Sequence, residues 1–243
     1  MDTSLVAALR QRLSASGYFW LQVASGALAL IAAGWIFGSL AEGVVDGEPL
    51  TVLDARLALW LHLHAIGPLT EVMLGISAMN GIAGISALSV LLALYFAWQR
   101  EWYWLLWLTL ASPGGMLVNV MMKFAFHRQR PSFVDPILTL TSYSFPSWHT
   151  AAATMYYGTL AAYLMPRLKT AGQRTLVLAV AMAIVVSVAF SRIYLGAHYL
   201  SDVLAGFAEG IAWLAVCMVA VATLRKRHLG LSAGAHAQKT ARR

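Results

Sequence analysis

Six long apolar stretches, separated by short polar segments, set the strongest limit on how this chain can fold. They cover about 18–41, 72–98, 102–124, 147–165, 175–195 and 199–224. A helix needs about 20 mostly apolar residues to cross the hydrocarbon core of a bilayer. The pattern therefore predicts an all-α, polytopic membrane protein with six transmembrane helices. The stretch 72–98 is the least regular, because Asn80 and several glycines interrupt it.

Composition and charge agree with a membrane protein built as one domain. Charged residues make up only 11% of the chain, against about 25% in soluble domains. The net charge of +7 does not indicate a nucleic-acid partner, because the cations fall between apolar stretches. The first stretch is too long for the apolar part of a signal peptide, which has about 7–15 residues. We expect a retained helix and a single domain over 1–243, with a core at about 18–224 and a basic cytoplasmic tail at 225–243.

The distribution of lysine and arginine predicts the orientation, since cytoplasmic loops carry an excess of both. With both termini in the cytoplasm, that side carries 12 of the 17 lysine and arginine residues. They are Arg10, Arg12, Arg100, Arg167, Lys169, Arg174 and the six between Arg225 and Arg243. This predicts a multi-pass protein of the cell inner or plasma membrane, with its active site facing the periplasm or the exterior.

A polar segment at about 46–68 lies on the outer side between the first two stretches. Leu53, Leu57, Trp60, Leu61 and His64 recur there at near-helical spacing. The segment is too polar to span a membrane, and the spacing favours an amphipathic helix in the interface. An alternative is that it forms part of a lipid entrance to the site.

Three polar clusters fall at helix ends on the same predicted side of the membrane. In chain order they are Lys123 with Arg130 and Pro131, then Ser144 to His149, then Ser191 and Arg192 with His198 and Asp202. The topology derived from charge alone puts all three at one depth. We therefore expect them to form one site.

The cations in these clusters are suited to a phosphate group. Arginine offers a planar fork for phosphate oxygens and lysine a point charge, so Lys123, Arg130 and Arg192 are candidate phosphate ligands. We expect Pro146 in the first turn of the fourth span. The backbone N–H groups of Ser147 and Trp148 would then be free to bind an anion at the helix N-terminus.

Two histidines are candidate catalytic groups. His198 and Asp202 are four residues apart and share one helix face. A carboxylate there can keep one ring nitrogen protonated and leave the other free as a nucleophile. His149 has no carboxylate four residues away, so we expect it to act as the general acid for the leaving group.

The order Lys123-x6-Arg130-Pro131, Pro146-Ser147-Trp148-His149 and Ser191-Arg192-x5-His198-x3-Asp202 resembles the three-part signature of the type 2 phosphatidic acid phosphatase superfamily. This resemblance implies the helical core shared with vanadium haloperoxidases, a membrane lipid phosphatase, a phosphohistidine intermediate, and no metal or cofactor. It also implies that Ser147 contacts phosphate, and that the substrate is undecaprenyl diphosphate, phosphatidylglycerophosphate, phosphatidic acid or a lipid A phosphate. Trp148 departs from the family pattern, which has glycine there, and its indole would either point away from the pocket or narrow it.

The same sequence features allow other interpretations. The same site could serve a lipid phosphotransferase, or a non-catalytic binder of lipid phosphates. A transporter is disfavoured because Glu209 is the one ionisable residue clearly at mid-span. Glu209 could be functional or could pack against Asn119. His127 and Arg128 could touch a lipid head group, whereas His62 and His64 lack a third metal ligand nearby. Substrate lipid phosphate and membrane lipids are the expected partners.

Overall fold

The computed structural model describes the backbone of residues 3–47 and 49–241, and the side chains of residues 17, 19–47 and 49–228. The predicted cytoplasmic cations Arg10, Arg12, Lys239, Arg242 and Arg243 lie outside the described side chains. The described helices are α1 (Thr3–Asp46), α2 (Pro49–Leu63), α3 (Gly67–Met79), α4 (Ile82–Trp98), α5 (Trp102–Thr109), α6 (Gly115–Phe126), α7 (Trp148–Leu164), α8 (Ala171–Tyr194) and α9 (Leu200–Ala241).

The all-helical prediction is confirmed, but the count of six spans is not. Within the described residues, four stretches are long and apolar enough to cross a membrane: Phe19–Asp46, Trp102–Phe126, Ala171–Tyr194 and Leu200–His228. The pair α3 and α4 forms a fifth if it is counted as one span bent by 48°. The predicted span 147–165 corresponds to α7, which has 17 residues. At 1.5 Å per residue it is about 25 Å long, short of a hydrocarbon core of about 30 Å.

The bend between α3 and α4 falls where the sequence was least regular. The Asn80 side chain donates to the carbonyl of Ile76 at 2.9 Å and ends α3. Gly81 is the N-cap of α4, and a Cβ there would lie 3.4 Å from Nε2 of His149. The break therefore brings an α3–α4 turn against the first turn of α7.

Small residues allow α7 and α9 to pack closely. A Cβ at Gly206 would lie 2.5 Å from the carbonyl oxygen of Ser147, and one at Gly210 would lie 2.6 Å from Cβ of Thr154. Glycines four residues apart let helix backbones approach each other in membranes. This contact puts the first turn of α9 beside the first turn of α7.

The polar residues separate to two ends of the bundle. Arg167, just after α7, forms an ion pair with Glu101 at 2.5 Å, and the guanidinium of Arg225 lies 5.9 Å from the ring centre of Tyr103. These contacts join the α4–α5 and α7–α8 connections to the late part of α9. The ends of α6 and α8 and the starts of α7 and α9 lie at the opposite end, where the three motif clusters meet.

Helix α2 lies within the predicted amphipathic segment at about 46–68 but has only 15 residues. Asp54, Ala58 and Leu61 are buried, whereas Leu53 and Trp60 are exposed. The buried face contains an acidic residue, which an ordinary interfacial helix would present to water. Because a buried carboxylate needs a cation or hydrogen-bond donors nearby, Asp54 must have such a partner within the fold.

Candidate active site

His198 lies in the tight connection between α8 and α9. Gly196 adopts a positive φ of 68°, and a Cβ at this position would come within 2.7 Å of the Phe133 ring. The carbonyl of Arg192 accepts hydrogen bonds from the backbone N–H groups of Ala197 at 3.0 Å and His198 at 3.1 Å. The turn thereby fixes the backbone of a histidine that is only 2% exposed.

The hydrogen bonds of the ring define which nitrogen carries the proton. Nε2 of His198 lies 3.2 Å from Nη1 of Arg130, and arginine can only donate. Nε2 is therefore assigned the lone pair and Nδ1 the proton. Nδ1 faces Oδ2 of Asp202 at 3.4 Å, as expected for a carboxylate that orients an imidazole.

Burial keeps this imidazole neutral. Desolvation lowers the pKa of His198 to about 3, and the hydrogen bond that Nδ1 donates to Asp202 opposes this shift without reversing it. Near neutral pH the ring therefore carries one proton, and Nε2 is available as a nucleophile.

The carboxylate of Asp202 is fully buried and holds several parts of the chain together. Its Oδ2 accepts from the backbone N–H of Tyr199 at 2.8 Å and from the hydroxyl of Ser144. Its Oδ1 accepts from Arg128 at 2.5 Å. The backbone carbonyl of Asp202 accepts from the N–H of Ser147 at 2.9 Å. One residue thus connects α9 to α7 and to both ends of the 127–147 connection.

Lys123 and Arg130 share one acceptor and so lie side by side. The ammonium of Lys123 donates to the carbonyl of Tyr143 at 2.7 Å, and Nη2 of Arg130 donates to the same oxygen at 3.2 Å. Arg130 also donates to the carbonyl of Ala197 at 2.6 Å. Carbonyls in the loops therefore fix both cations next to His198.

Arg192 is a buried cation with part of its guanidinium unused. It is 3% exposed, one Nη donates to the hydroxyl of Ser77 in α3, and its Nε has no hydrogen-bond partner. Among the described residues, the ion pairs leave Lys123, Arg130 and Arg192 without a carboxylate partner. Buried charges are normally paired, so three unpaired cations around one histidine form a site for an anion.

His149 lies in the first turn of α7, against the α3–α4 break at Gly81. Arg192, His198, Arg130 and Lys123 all act electrostatically on its ring. The structure therefore brings the second predicted histidine to the same cationic pocket.

The structure corrects two details at the start of α7. The expected free N–H of Ser147 is wrong, because that group donates to the Asp202 carbonyl, and Ser147 is fully buried. Pro146 lies before the helix rather than in its first turn, because α7 begins at Trp148 with Ser147 as its N-cap. The backbone N–H groups of the first turn of α7, beginning with that of Trp148, have no carbonyl acceptor within the helix.

The indole of Trp148 is part of a hydrophobic cluster. It packs against Ile85, Ala152 and Tyr156 in the contact between α4 and α7. Its backbone is part of a regular helix, a conformation that does not require glycine. The tryptophan is therefore compatible with the site geometry.

A chain of ion pairs connects α2 to the site. Its first member, Asp54, was not predicted from the sequence. Arg128, given only a possible head-group contact, donates to Asp54 at 2.8 Å and to Asp202 at 2.5 Å. Asp54 also accepts from the N–H of Ser201 at 3.0 Å and from its hydroxyl. An available signal was that Asp54 shares a helix face with Leu57, Ala58 and Leu61, where a charge needs a partner.

Four other polar residues singled out in the sequence are His62, His64, His127 and Glu209. The His62 ring stacks on Phe133 at 4.0 Å, and His64 bonds the carbonyl of Trp60 at 2.8 Å. His127 ends α6 in a left-handed conformation. The contact between Glu209 and Asn119 is present, with a hydrogen bond of 2.7 Å.

Comparison with known proteins agrees with the motifs and the geometry. Residues 102–226 match the PAP2 superfamily. A curated relative, phosphatidylglycerophosphatase B of Bacillus subtilis (strain 168), is 35% identical over 145 residues, which are 59% of this chain and 70% of the relative. The chain belongs to the PAP2 superfamily.

Solved structures support the same assignment. The crystal structure of a transmembrane PAP2 type phosphatidylglycerolphosphate phosphatase from Bacillus subtilis superposes with a TM-score of 0.70 and 28% identity, covering 77% of this chain and 93% of that one. Aquifex aeolicus LpxE superposes with a TM-score of 0.53 and 21% identity, covering 70% and 94%, and shows the fold alone. This PAP2 protein is thus a membrane phosphatase of the lipid phosphatase branch.

The ion-pair chain predicts that Asp54→Asn impairs this PAP2 enzyme although Asp54 does not line the cationic pocket. Removing the charge leaves Arg128 with one carboxylate partner, so Asp202 and the His198 ring lose part of their orientation. We expect kcat to fall about tenfold, corresponding to about 1.4 kcal/mol, with a smaller change in KM. Kinetics on the monodisperse fraction from size exclusion separate this effect from misfolding.

The matched control is Asp46→Asn, because Asp46 is an exposed acid at the end of α1. We expect wild-type kinetics for this variant. A wild-type kcat for Asp54→Asn in the folded fraction would contradict a positioning role.

Proposed function

We propose that this protein is a metal-independent lipid phosphate or diphosphate phosphatase that works through a phosphohistidine at His198. The observation that carries the proposal is the cluster of three unpaired cations around a neutral, oriented imidazole. Lys123, Arg130 and Arg192 would bind the phosphate oxygens and stabilise charge during in-line transfer. Nε2 would attack phosphorus while Asp202 stabilises the charge that develops on the ring.

The leaving group needs a proton, and His149 is the candidate donor. The bond between phosphorus and the lipid oxygen breaks as the bond to Nε2 forms, and His149 would protonate the departing oxygen. Water then attacks the phosphohistidine and His149 takes up a proton from it. The bond between phosphorus and Nε2 breaks, so that inorganic phosphate leaves and His198 regains its lone pair. The phosphate would also lie at the N-terminus of α7, beside Ser147. There the first-turn N–H groups, including that of Trp148, and the positive end of the helix dipole would favour its negative charge.

We also propose that the site faces away from the cytoplasm. Helix α7 begins at the site end and its last turn leads to the Arg167–Glu101 pair at the other end. It would thus provide a sixth crossing beside the bent α3–α4 span, with a locally thinned bilayer matching its length. Both termini and the basic tail would then be cytoplasmic, and the site periplasmic or extracellular. The whole chain 1–243 would form one phosphatase domain.

The substrate would be an amphiphilic phosphate that enters laterally from the outer leaflet. The names of the Bacillus subtilis relatives favour phosphatidylglycerophosphate as the first compound to test. Undecaprenyl diphosphate, phosphatidic acid and a lipid A phosphate remain in the panel, because the phosphate ligands alone fit each of them.

We expect detergent-purified protein to release inorganic phosphate from at least one of these lipids with EDTA present. His198→Ala should lower the rate at least about 10³-fold, since the loss of a nucleophile removes the whole covalent route. Release that stops with EDTA and returns with a divalent metal would contradict the metal-independent mechanism. Transfer of phosphate to an added lipid alcohol, without free phosphate, would indicate a phosphotransferase instead.

His149→Ala should distinguish good from poor leaving groups. A general acid contributes about 10²–10⁴-fold, but p-nitrophenolate departs without a proton. We expect a loss of at least about 10²-fold on the lipid phosphate and a much smaller loss on p-nitrophenyl phosphate. Equal losses on both compounds would argue that His149 binds phosphate rather than donating a proton.

A further inference from the structure

The break between α3 and α4 lies outside the three motifs and before residues 102–226, which match the PAP2 superfamily. Polar contacts inside the bundle hold it in a defined shape. Asn80 is 5% exposed. Its Nδ2 donates to the carbonyl of Ile76 at 2.9 Å, and its Oδ1 accepts from the hydroxyl of Tyr157 at 3.2 Å. Because Tyr157 belongs to α7, one amide side chain both ends α3 and attaches the break to the helix that carries His149.

Two glycines allow the chain to turn this closely. A Cβ at Gly84 would lie 2.0 Å from the carbonyl oxygen of Met79, so the first turn of α4 can pack on the end of α3 only with glycine at this position. Gly81 is the N-cap of α4, with a φ of −75° and a ψ of −178°. This is extended backbone that other residues also adopt. What glycine provides at position 81 is therefore space.

The ring of His149 occupies this space. A Cβ at Gly81 would lie 3.4 Å from Nε2 of the ring, and among the described residues the ring has electrostatic neighbours but no hydrogen-bond partner. A side chain without a hydrogen bond is oriented by packing. A general acid must come within about 2.6–3.2 Å of the atom that receives its proton, so the packing at Gly81 limits where Nε2 can meet a leaving group.

The same break also contacts one of the candidate phosphate ligands. Ser77, in the last turn of α3, is 6% exposed, and its hydroxyl accepts a hydrogen bond from one Nη of Arg192. The Nε of Arg192 has no partner, so within the described part of the chain Ser77 is the side chain that fixes this guanidinium. Arginine binds phosphate through a planar fork, and the orientation of that plane decides how well the fork meets the phosphate oxygens.

We propose that the α3–α4 break is a positioning element for the reaction. Asn80 and Gly81 set the place of the His149 ring. Ser77 sets the plane of the Arg192 guanidinium. The inference rests on the proposed phosphatase function, and it adds residues that act on the substrate only through these two groups.

The first test varies the space at position 81. Alanine and valine are both poor N-caps, so the difference between Gly81→Ala and Gly81→Val reports the size of the side chain and not the loss of the cap. Alanine adds one methyl group at about contact distance from the ring, and we expect kcat on the lipid phosphate to fall about threefold or less. Valine adds two further methyl groups, and we expect a fall of about 10²-fold, the loss that a misplacement of about 1 Å can cause.

The same change in the His149→Ala background decides whether the loss passes through the ring. Alanine at position 149 leaves no ring to displace. The double variant with Gly81→Val should therefore keep the kcat of His149→Ala to within about twofold, whereas changes that act independently give losses that multiply. Multiplied losses in the folded fraction would overturn the positioning of His149 by the break.

Tyr157→Phe is a milder change that still tests the inference if Gly81→Val does not fold. It removes only the hydroxyl that donates to Asn80. We expect kcat on the lipid phosphate to fall about tenfold, the effect of about one hydrogen bond, and to fall no further in the His149→Ala background. A wild-type kcat for Tyr157→Phe would overturn the role of Asn80.

Tyr156→Phe is the matched control for this variant. The Tyr156 hydroxyl donates to the carbonyl of Leu88 in α4 at 3.4 Å, so it joins the same two helices away from the break. We expect the wild-type kcat for this variant. A fall as large as that of Tyr157→Phe would show that any lost contact between α4 and α7 suffices, and would overturn the positioning role of the break.

Ser77→Ala tests the second contact through phosphate binding. The measurement is competitive inhibition by inorganic phosphate, for which we expect the inhibition constant to rise about tenfold, since the guanidinium loses its one side-chain partner. Ser77→Thr keeps the hydroxyl and should restore most of the affinity. An unchanged inhibition constant in Ser77→Ala would overturn the orientation of Arg192 by Ser77.

Failure of this inference is distinguishable from failure of the proposed function. In each outcome named above, the wild-type protein still releases phosphate in a His198-dependent reaction. Absence of that release from every lipid in the panel would instead overturn the proposed function, and the positioning role of the break with it.

Discussion

The architecture of the site depends on the buried carboxylate of Asp202. It accepts from Ser144, Tyr199 and Arg128 and faces the ring of His198, while its backbone carbonyl holds the N–H of Ser147. A buried carboxylate is tolerated only with such partners. The same contacts that stabilise the charge therefore fix the register of α9, the start of α7 and the connection between α6 and α7. Arg128 and Asp54 extend this arrangement to α2.

The membrane explains why most of the protein outside the site consists of packed apolar helices. Since charges are costly inside the hydrocarbon core, the cations gather at the two ends of the bundle, and the helices between them need only pack. Glycines at 206 and 210 permit the close α7–α9 contact that aligns the two motif segments. The break between α3 and α4 interrupts this regular helix packing. Next to the break, the Ser77 hydroxyl accepts a hydrogen bond from Arg192, and Gly81 leaves room for the His149 ring.

The sequence was sufficient for the helical class, the family and the residues that meet at the site, because apolar length and motif spacing are local properties. It was insufficient where tertiary contacts decide. The free N–H expected at Ser147 is used by Asp202, and the Trp148 indole turns toward Ile85 of α4. Asp54 lies about 150 residues before its partner Ser201, so its role depends on a pairing that spacing cannot reveal. Apolar composition also did not reveal that α7 has only 17 residues.

The central claim is that His198 carries the phosphoryl group during turnover, and trapping that intermediate tests it most directly. The enzyme is mixed briefly with a lipid labelled in its terminal phosphate, quenched in alkali, digested and mapped by mass spectrometry. The account predicts label on the peptide containing His198, stable in alkali and lost in acid, and absent from His198→Ala. Label on His149, or turnover by the wild type with no acid-labile label on either histidine, would contradict it.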